Sequence, residues 1–388
     1  MIHQTIQALE IVTVLLTAGS LVYYALCLWS AASFLRQPRP SASPHLPPVS
    51  ILKPLKGADP EMYENFRSHC VQDYPEYEII FGVSEPDDPA IKLVEQLKSE
   101  FPQRAIRLLV CSKPLGTNTK VSNLTQMLPQ ARYDHLIVND SDIRVPPDYL
   151  RRVLAPLADS ATGLVTCLYR GIANSTLGSR LESLGISTDF CPGVLVARQL
   201  EGIKFALGST MAFRRRDLAA IGGFEALLDY LSDDYQLGRR IAGRGLKIEL
   251  SNTLVETYLP RYTMPEFLAH QLRWARSVRD SRPWGYLGLG ITFGLLWALL
   301  TLILAAGAGW AWGLFVVTAA LRFAVAGFVG GRLLRDRHAL RWLVLVPLRD
   351  AIAMVVWLLS FAGHTVSWRG DLFRLKNGKL VRTTTTRN

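Results

Sequence analysis

Two long stretches without a single charged residue, Ile11 to Leu35 and Pro283 to Leu321, constrain this chain more than any other feature. They run for 25 and 39 residues, whereas a helix needs only about 20 apolar residues to cross a bilayer core. Both read as membrane segments. The first lacks the basic lead and small-residue cleavage site of a signal peptide and reads as an anchor. The second is long enough for a helical hairpin, with Gly307, Ala308 and Gly309 where its turn falls. A third apolar stretch, Trp342 to Trp368, is interrupted by Pro347, Arg349 and Asp350. The simplest reading of that charged pair is a helix boundary at headgroup level.

Basic residues orient the spans. Arg36 and Arg39 follow the first, and Arg276, Arg279 and Arg282 precede the second, so the region between faces the cytosol. Four further arginines, Arg332, Arg335, Arg337 and Arg341, follow the hairpin. The tail, with Arg369, Arg374, Lys376, Lys379, Arg382 and Arg387, is also basic; a simple crossing by the third stretch puts it outside, a re-entrant one returns it. The expected plan is an anchor over 1–36, a cytosolic domain over 37–282, membrane or re-entrant helices over 283–368 and a basic tail over 369–388. That plan implies a multi-pass integral membrane protein, in the plasma or inner membrane if bacterial. The net charge of +11 lies mostly beside the spans, which favours anionic headgroups or phosphates over nucleic acid. Cys27, Cys70, Cys111, Cys167 and Cys191 show neither metal spacing nor disulfide rhythm and read as reduced structural thiols.

After the proline-rich linker Pro38 to Pro48 the pattern alternates between strands and helices. Strands are expected at Val49 to Leu52, Tyr77 to Val83, Ile106 to Val110 and His135 to Val138, with helices at Met62 to Cys70, Ile91 to Phe101 and Lys120 to Leu128. Such alternation predicts an α/β domain with a mostly parallel sheet, whose ligands lie beyond the carboxyl ends of the strands. No GxGxxG follows the first strand, which disfavours a dinucleotide-binding domain.

The chemistry-bearing residues fall after strands. Lys53 to Gly57 follows the first, Asp87-Asp88 the second and Asp140-Ser141-Asp142 the fourth. Asp140 and Asp142, two residues apart at a strand end, can converge on one hard cation that also holds phosphate oxygens. Asp233-Asp234 precede a helix expected over Tyr235 to Ala242; they read either as helix-dipole partners or as the source of a general base. In His270-Gln271-Leu272-Arg273-Trp274, Arg273 suits a diphosphate because a guanidinium offers forked donors and stays charged. The later arginines read as membrane-flanking charge. Leu177 to Phe190 reads as an amphipathic helix, on the membrane surface or against the sheet.

In this order, Asp88, Asp140-Ser141-Asp142, Asp233-Asp234 and His270-x-x-Arg273-Trp274, with one preceding anchor and hydrophobic segments after, the chain resembles inverting GT-A type glycosyltransferases that act on lipids. It looks most like the ceramide glucosyltransferase family and its bacterial relatives in hopanoid glycosylation. The resemblance covers essentially the whole chain, including Asp87-Asp88-Pro89-Ala90-Ile91 and Ser141-Asp142-Ile143-Arg144-Val145.

That resemblance implies a UDP-sugar donor and a divalent metal, Mg2+ or Mn2+. Asp88 would contact the uridine, Asp140 and Asp142 would bind metal and diphosphate, Arg273 and Trp274 would complete the diphosphate site, and Asp234 beside Asp233 would be the base. Lys120 falls where relatives place a phosphate-contacting lysine. Gly208-Ser209-Thr210, expected after a strand, would floor the acceptor site. His270 departs from the family pattern, which has Gln or Arg there. The implied reaction is a single inverting displacement moving a hexose or N-acetylhexosamine from UDP to a lipid hydroxyl, on ceramide or a hopanoid polyol. A polyprenyl-phosphate glycosyltransferase shares the donor site but needs no strong base. A transporter or receptor with a soluble regulatory domain would place facing polar residues inside several spans; here the spans carry only Arg322, Arg349 and Asp350.

Overall fold

The computed structural model describes residues 1–37, 46–59, 61–368 and 371–382. Most of the expected linker, Arg39, Arg369 and Arg387 lie outside these residues. In chain order the elements are α1 (Ile2–Leu35), β1 (Val49–Pro54), α2 (Met62–Cys70), β2 (Tyr77–Val83), α3 (Ala90–Glu100), β3 (Ala105–Val110), α4 (Thr119–Met127), β4 (His135–Val138) and β5 (Ile143–Arg144). Then come α5 (Tyr149–Leu154), β6 (Thr162–Ile172), α6 (Leu177–Gly185), α7 (Cys191–Glu201), β7 (Met211–Arg214), α8 (Arg215–Ala219), α9 (Asp233–Gly243) and β8 (Lys247–Tyr258). The remainder is α10 (Met264–Ser281), α11 (Pro283–Gly288), α12 (Gly294–Leu304), α13 (Gly309–Val325), α14 (Arg337–Arg341), α15 (Val346–Ser360), β9 (Thr365–Trp368), β10 (Asp371–Lys376) and β11 (Lys379–Arg382).

These elements form two compact units: Met1–Gln37 with Ser175–Leu200 and Arg261–Asn377, and the described residues of Pro38–Asn174, Glu201–Pro260 and Gly378–Asn388. The second unit is built on an eight-stranded sheet in the order β3-β2-β1-β4-β7-β6-β8-β5. Strand pairs β1–β2, β2–β3, β1–β4 and β6–β8 are parallel, and β4, β6 and β5 add antiparallel pairings to β7, β7 and β8. Every residue of β1 and β2 is buried, as strands covered on both faces require. Gly82 on β2 is needed for that cover, because a Cβ there would lie 2.4 Å from Met127 Sδ of α4. Strand order turns back between β1 and β4, which opens a crevice at their carboxyl ends.

The first unit holds the apolar helices. Among the described residues three helical stretches are long and apolar enough to cross a membrane, Ile2–Leu35, Gly309–Leu333 and Leu343–Ser360, and a fourth candidate is the pair Pro283–Thr292 and Gly294–Leu304, bent by 56°. Two hydroxyls of α1 accommodate that bend: Ser20 Oγ donates to the Ile291 carbonyl at 2.5 Å and Tyr24 to that of Thr292 at 3.0 Å. They satisfy carbonyls that a broken helix exposes, a requirement in hydrocarbon. The hairpin turn falls where expected, with Ala306 and Gly307 at φ 48° and 74°. Pro347 does not break the third stretch; it sits in the first turn of α15, where a missing N–H costs nothing.

Arg349 and Asp350, read as a helix boundary at headgroup level, are paired within the fold. Asp350 receives Arg322 Nε at 2.8 Å and Nη2 at 2.6 Å, with both side chains buried. Arg322 also meets Asp189 at 3.3 Å and donates to the Thr188 carbonyl at 3.0 Å. Asp189 reaches it because the helix expected over Leu177 to Phe190 is α6 followed by a π-turn at Ile186–Phe190. Within the first unit that helix buries Leu184 with Ala326, Ala339 and Val346. We expect Asp350→Ala to cost roughly 3–5 kcal/mol by stranding a buried guanidinium. A paired Arg322→Met/Asp350→Leu variant should recover most of that in a thermal double-mutant cycle.

Candidate functional site

The crevice after β4 gathers an acidic cluster around a lysine. Buried Asn139 anchors the strand end, its amide donating to the Ser209 carbonyl at 2.7 Å and to Tyr149 Oη at 3.0 Å. Asp140 N donates to the Gly208 carbonyl at 3.3 Å, and Gly208 N donates to Asp234 Oδ2 at 2.9 Å. Lys120, on the first turn of α4, places its ammonium 2.8 Å from Asp140 Oδ1 and 3.0 Å from Asp233 Oδ2. A Cβ on Gly208 would stand 2.6 Å from Asp140 Oδ2 and 3.4 Å from Asp234 Oδ2, so both carboxylates face one glycine. Lys120, Asp140, Asp233, Asp234 and Gly208 therefore meet.

Other expected residues take specific places. Asp142 accepts from Thr257 Oγ1 of β8 at 2.5 Å. Asp88 accepts from Gly57 N at 3.0 and 3.1 Å and from Ala90 N at 2.9 Å, fixing the loop after β1; Gly57 has φ +73°. From that loop Asp59 receives the Ser141 hydroxyl at 3.3 Å. Ser209 is buried with its hydroxyl on the Cys167 carbonyl at 3.0 Å. Gly208 to Thr210 precede β7 instead of following a strand, in a turn closed between Leu207 and Thr210. Asp233 and Asp234 are the first two residues of α9, not its lead-in.

Arg273 and Trp274 lie on α10, in the first unit. Trp274 meets His270 and Phe190 edge-to-face at 5.6 and 6.0 Å, and His270 stacks on Tyr262 at 5.3 Å. His270 Nδ1 lies 3.7 Å from Glu182 Oε2, and Gln271 donates to the same carboxylate. Burial alone would raise the Glu182 pKa, but His270, Arg349 and Arg273 outweigh it and hold the group below the usual carboxylate range.

Charge sets the protonation states in the crevice. Burial opposes the Lys120 charge, yet Asp140, Asp233 and Asp234 overcome it and raise its pKa above that of an ordinary lysine. Asp234 is pushed up to about 6 by burial and then by Asp233, against the pull of Lys120. Burial and Asp140 likewise push Asp142 up to about 6. We expect Lys120→Met to leave Asp140 and Asp233 facing without a counter-charge, raising the donor KM about tenfold or more; donor titration of the purified variant checks it.

Lys53, expected just after the first strand, lies within it, and two further contributors, His69 and Thr257, were not singled out from the sequence. Lys53 belongs to β1 and is fully buried, donating to the Asp140 carbonyl at 3.1 Å and lying 3.5 Å from His69 Nε2. His69 Nδ1 lies 2.9 Å from the Asn65 carbonyl; it must donate there, so Nε2 accepts from Lys53. Burial and then Lys53 push the His69 pKa well down, while burial lowers that of Lys53 to about 7 against Asp142 and Asp140. Lysine inside an apolar strand beside a glycine loop was the visible signal. Thr257 carried none.

Among the described residues no group of three or more His, Cys, Asp or Glu side chains is arranged to hold a metal unaided. Asp140, half-buried, and Asp142 supply hard oxygen donors that suit Mg2+ or Mn2+ only with further oxygens from a ligand such as a diphosphate.

Residues 12–381 match the model of a known family, glycosyl transferase family 21. The chain belongs to that family. Among the relatives of this family 21 chain, ceramide glucosyltransferase 1 of Caenorhabditis elegans is 26% identical over 238 residues, covering 60% of this chain and 50% of the relative. The Komagataella phaffii ceramide glucosyltransferase is 36% identical over 113 residues, 28% of this chain and 22% of the relative. That of Pyricularia oryzae is 21% identical over 441 residues, covering 90% of this chain and 89% of the relative. The match thus spans about half the length of the nematode protein. Among solved structures, a mannosyltransferase from Pyrobaculum calidifontis, in complex with GDP-Man and Mn2+, aligns over 91% of this chain and 99% of its own at a TM-score of 0.55 and 19% identity. This likeness establishes the GT-A type fold of the family 21 chain.

Proposed function

We propose that this protein transfers a hexose or N-acetylhexosamine from a UDP-sugar to the hydroxyl of a membrane lipid, ceramide or a hopanoid polyol, at the cytosolic membrane face. One observation carries the reading: Asp140 and Asp234 face a single glycine, with Lys120 bridging Asp140 to Asp233. Asp234 takes the proton of the incoming hydroxyl as that oxygen attacks the anomeric carbon, and the sugar inverts in one displacement. A base with a pKa near 6 is ionised at neutral pH yet retains basicity. Asp140 and Asp142 would hold the divalent metal, which when bound stabilises charge on the departing diphosphate. Lys120 adds positive charge for the phosphates, Asp88 orients the uridine, and Gly208 with Ser209 floors the acceptor; phosphate roles for Arg273 and Trp274, on α10 of the first unit, rest on the family resemblance alone. The family supports the lipid acceptor, because named relatives are ceramide glucosyltransferases. The metal reading draws on the Mn2+ named for the archaeal mannosyltransferase.

The test incubates membranes containing the protein with labelled UDP-glucose or UDP-N-acetylglucosamine and with ceramide, a polyol hopanoid or a polyprenyl phosphate, with and without chelator. Transfer to a lipid hydroxyl, lost with chelator and restored by Mg2+ or Mn2+, is expected. Label on polyprenyl phosphate alone, or transfer indifferent to chelator, would overturn the reading.

A further inference from the structure

The chain end is not a loose basic tail within the described residues. Gly378 to Leu380 lies along Asp229 to Leu231, the segment leading directly into Asp233-Asp234. Leu231 N donates to the Gly378 carbonyl at 3.1 Å, and Leu380 N to the Asp229 carbonyl at 2.7 Å. Leu380 is 2% exposed, and the Lys379 ammonium sits 5.3 Å over the Tyr230 ring. On its other side the same segment is held by the start of α4, which also carries Lys120. Asn118 Nδ2 donates to the Tyr230 carbonyl at 2.7 Å, and Thr117 N and Oγ1 both reach Asp229 Oδ1 at 3.1 Å. Gly378 suits its place because its φ is +78°, a backbone conformation that strains an L side chain. The approach to the acidic pair is thus clamped between α4 and the chain end.

A second observation concerns how the chain returns to this unit. Helix α15 is apolar, but it runs beside α10 and in the same direction. Arg349 Nη2 donates to Gln271 Oε1 at 2.9 Å near one end; at the other, Arg279 donates to the carbonyls of Ser360 and, at 2.9 Å, Gly363. Helix α10 carries Glu266, Arg273, Arg276, Arg279 and Asp280, too many charges for hydrocarbon. A helix paired along its length with α10 shares its depth. The bent pair and α13, joined by the tight turn at Ala306 and Gly307, remain as one passage out and one back.

We propose that Gly378–Arg382 is a strap that positions the acidic pair of the transfer site, and that it lies on the same membrane face as that site, with α15 along the interface and not across the bilayer. This rests on the reading of Asp233-Asp234 as part of the transfer machinery. The residues of the strap act through the loop they hold and touch no reacting atom.

The test uses the full chain in sealed vesicles, with one epitope after Asn388 and another at the exposed Gln103 loop. Protease should remove both or spare both in vesicles of either sidedness; removal of one alone would overturn the shared face. Leu380→Asp should raise hydrogen exchange at Leu231 and lower kcat roughly tenfold or more, with the melting temperature of the purified protein held, while Leu380→Met restores both. Wild-type exchange and kcat in Leu380→Asp, or a kcat loss tracking the melting temperature in both variants, would sink the strap. If the wild type shows no transfer, the proposed function fails, and the vesicle and exchange results still decide the strap.

Discussion

Replacing Asp234 by asparagine will lower kcat by about 10²–10⁴-fold, the usual contribution of a positioned general base, with the donor KM little changed. Asparagine keeps one oxygen to accept from Gly208 N while its amide nitrogen replaces the oxygen that accepts from Tyr235 N, so the contact with the Gly208 loop survives while the base is lost. The wild-type rate should also fall as pH drops through about 6, where Asp234, raised by burial and Asp233, and Asp142, raised by burial and Asp140, each take up a proton. The stability consequence has the opposite sense. A carboxyl raised from 3.8 to about 6 in the fold binds its proton more tightly folded than unfolded, so its contribution is favourable below the unfolded value. That contribution is lost as pH rises across the window. Asp234→Asn should therefore melt no lower than wild type at pH 7.5 while losing activity. A variant that melts early and retains its rate per folded molecule would sink the base assignment. Single-turnover rates and calorimetry over pH 5 to 8 give both readouts.

Gly208→Ala is expected to reduce transfer about 100-fold, as displacements of about 1 Å in a reacting constellation do. The added methyl has no room: its carbon would be 2.6 Å from Asp140 Oδ2 and 3.4 Å from Asp234 Oδ2. Nearly every real Cβ keeps more distance than the first, so the Asp140 side chain must swing and its contact with Lys120 must lengthen. Both donor KM and kcat should worsen, whereas Asp234→Asn should change kcat alone. That contrast separates loss of geometry from loss of a proton acceptor. An alanine variant with wild-type kinetics would mean that the two carboxylates are not held against this glycine during turnover.

Much of the architecture was legible because it rests on local periodicity. Continuous apolar runs such as Ile79 to Val83 have few alternatives to a doubly covered strand, and Asp140 to Asp142 could be placed at a strand end from Leu136 to Val138 alone. Errors came where a local signal was outweighed by a distant partner. Pro347 looked like a breaker but starts α15, and the charges beside it gave no sign of Arg322, 28 residues away from Asp350, as their counter-ion. The first turn of α9 begins at Asp233, where two carboxylates favour a helix N-terminus. The chain end read as basic composition, since Leu380 acquires meaning only from the segment it covers.

Taken alone, the amino-acid order determined the apolar spans, the strand and helix rhythm and the order of the acidic motifs, since each depends on residues within a few turns of one another. Only the tertiary structure decided that Lys120 joins Asp140 to Asp233, that Lys53 lies buried beneath the Asp140 carbonyl, and that Gly208 separates two carboxylates. These depend on which strands become neighbours. Long-range pairing is selected by the whole sheet and the helices that cover it, and no local stretch of chain encodes it.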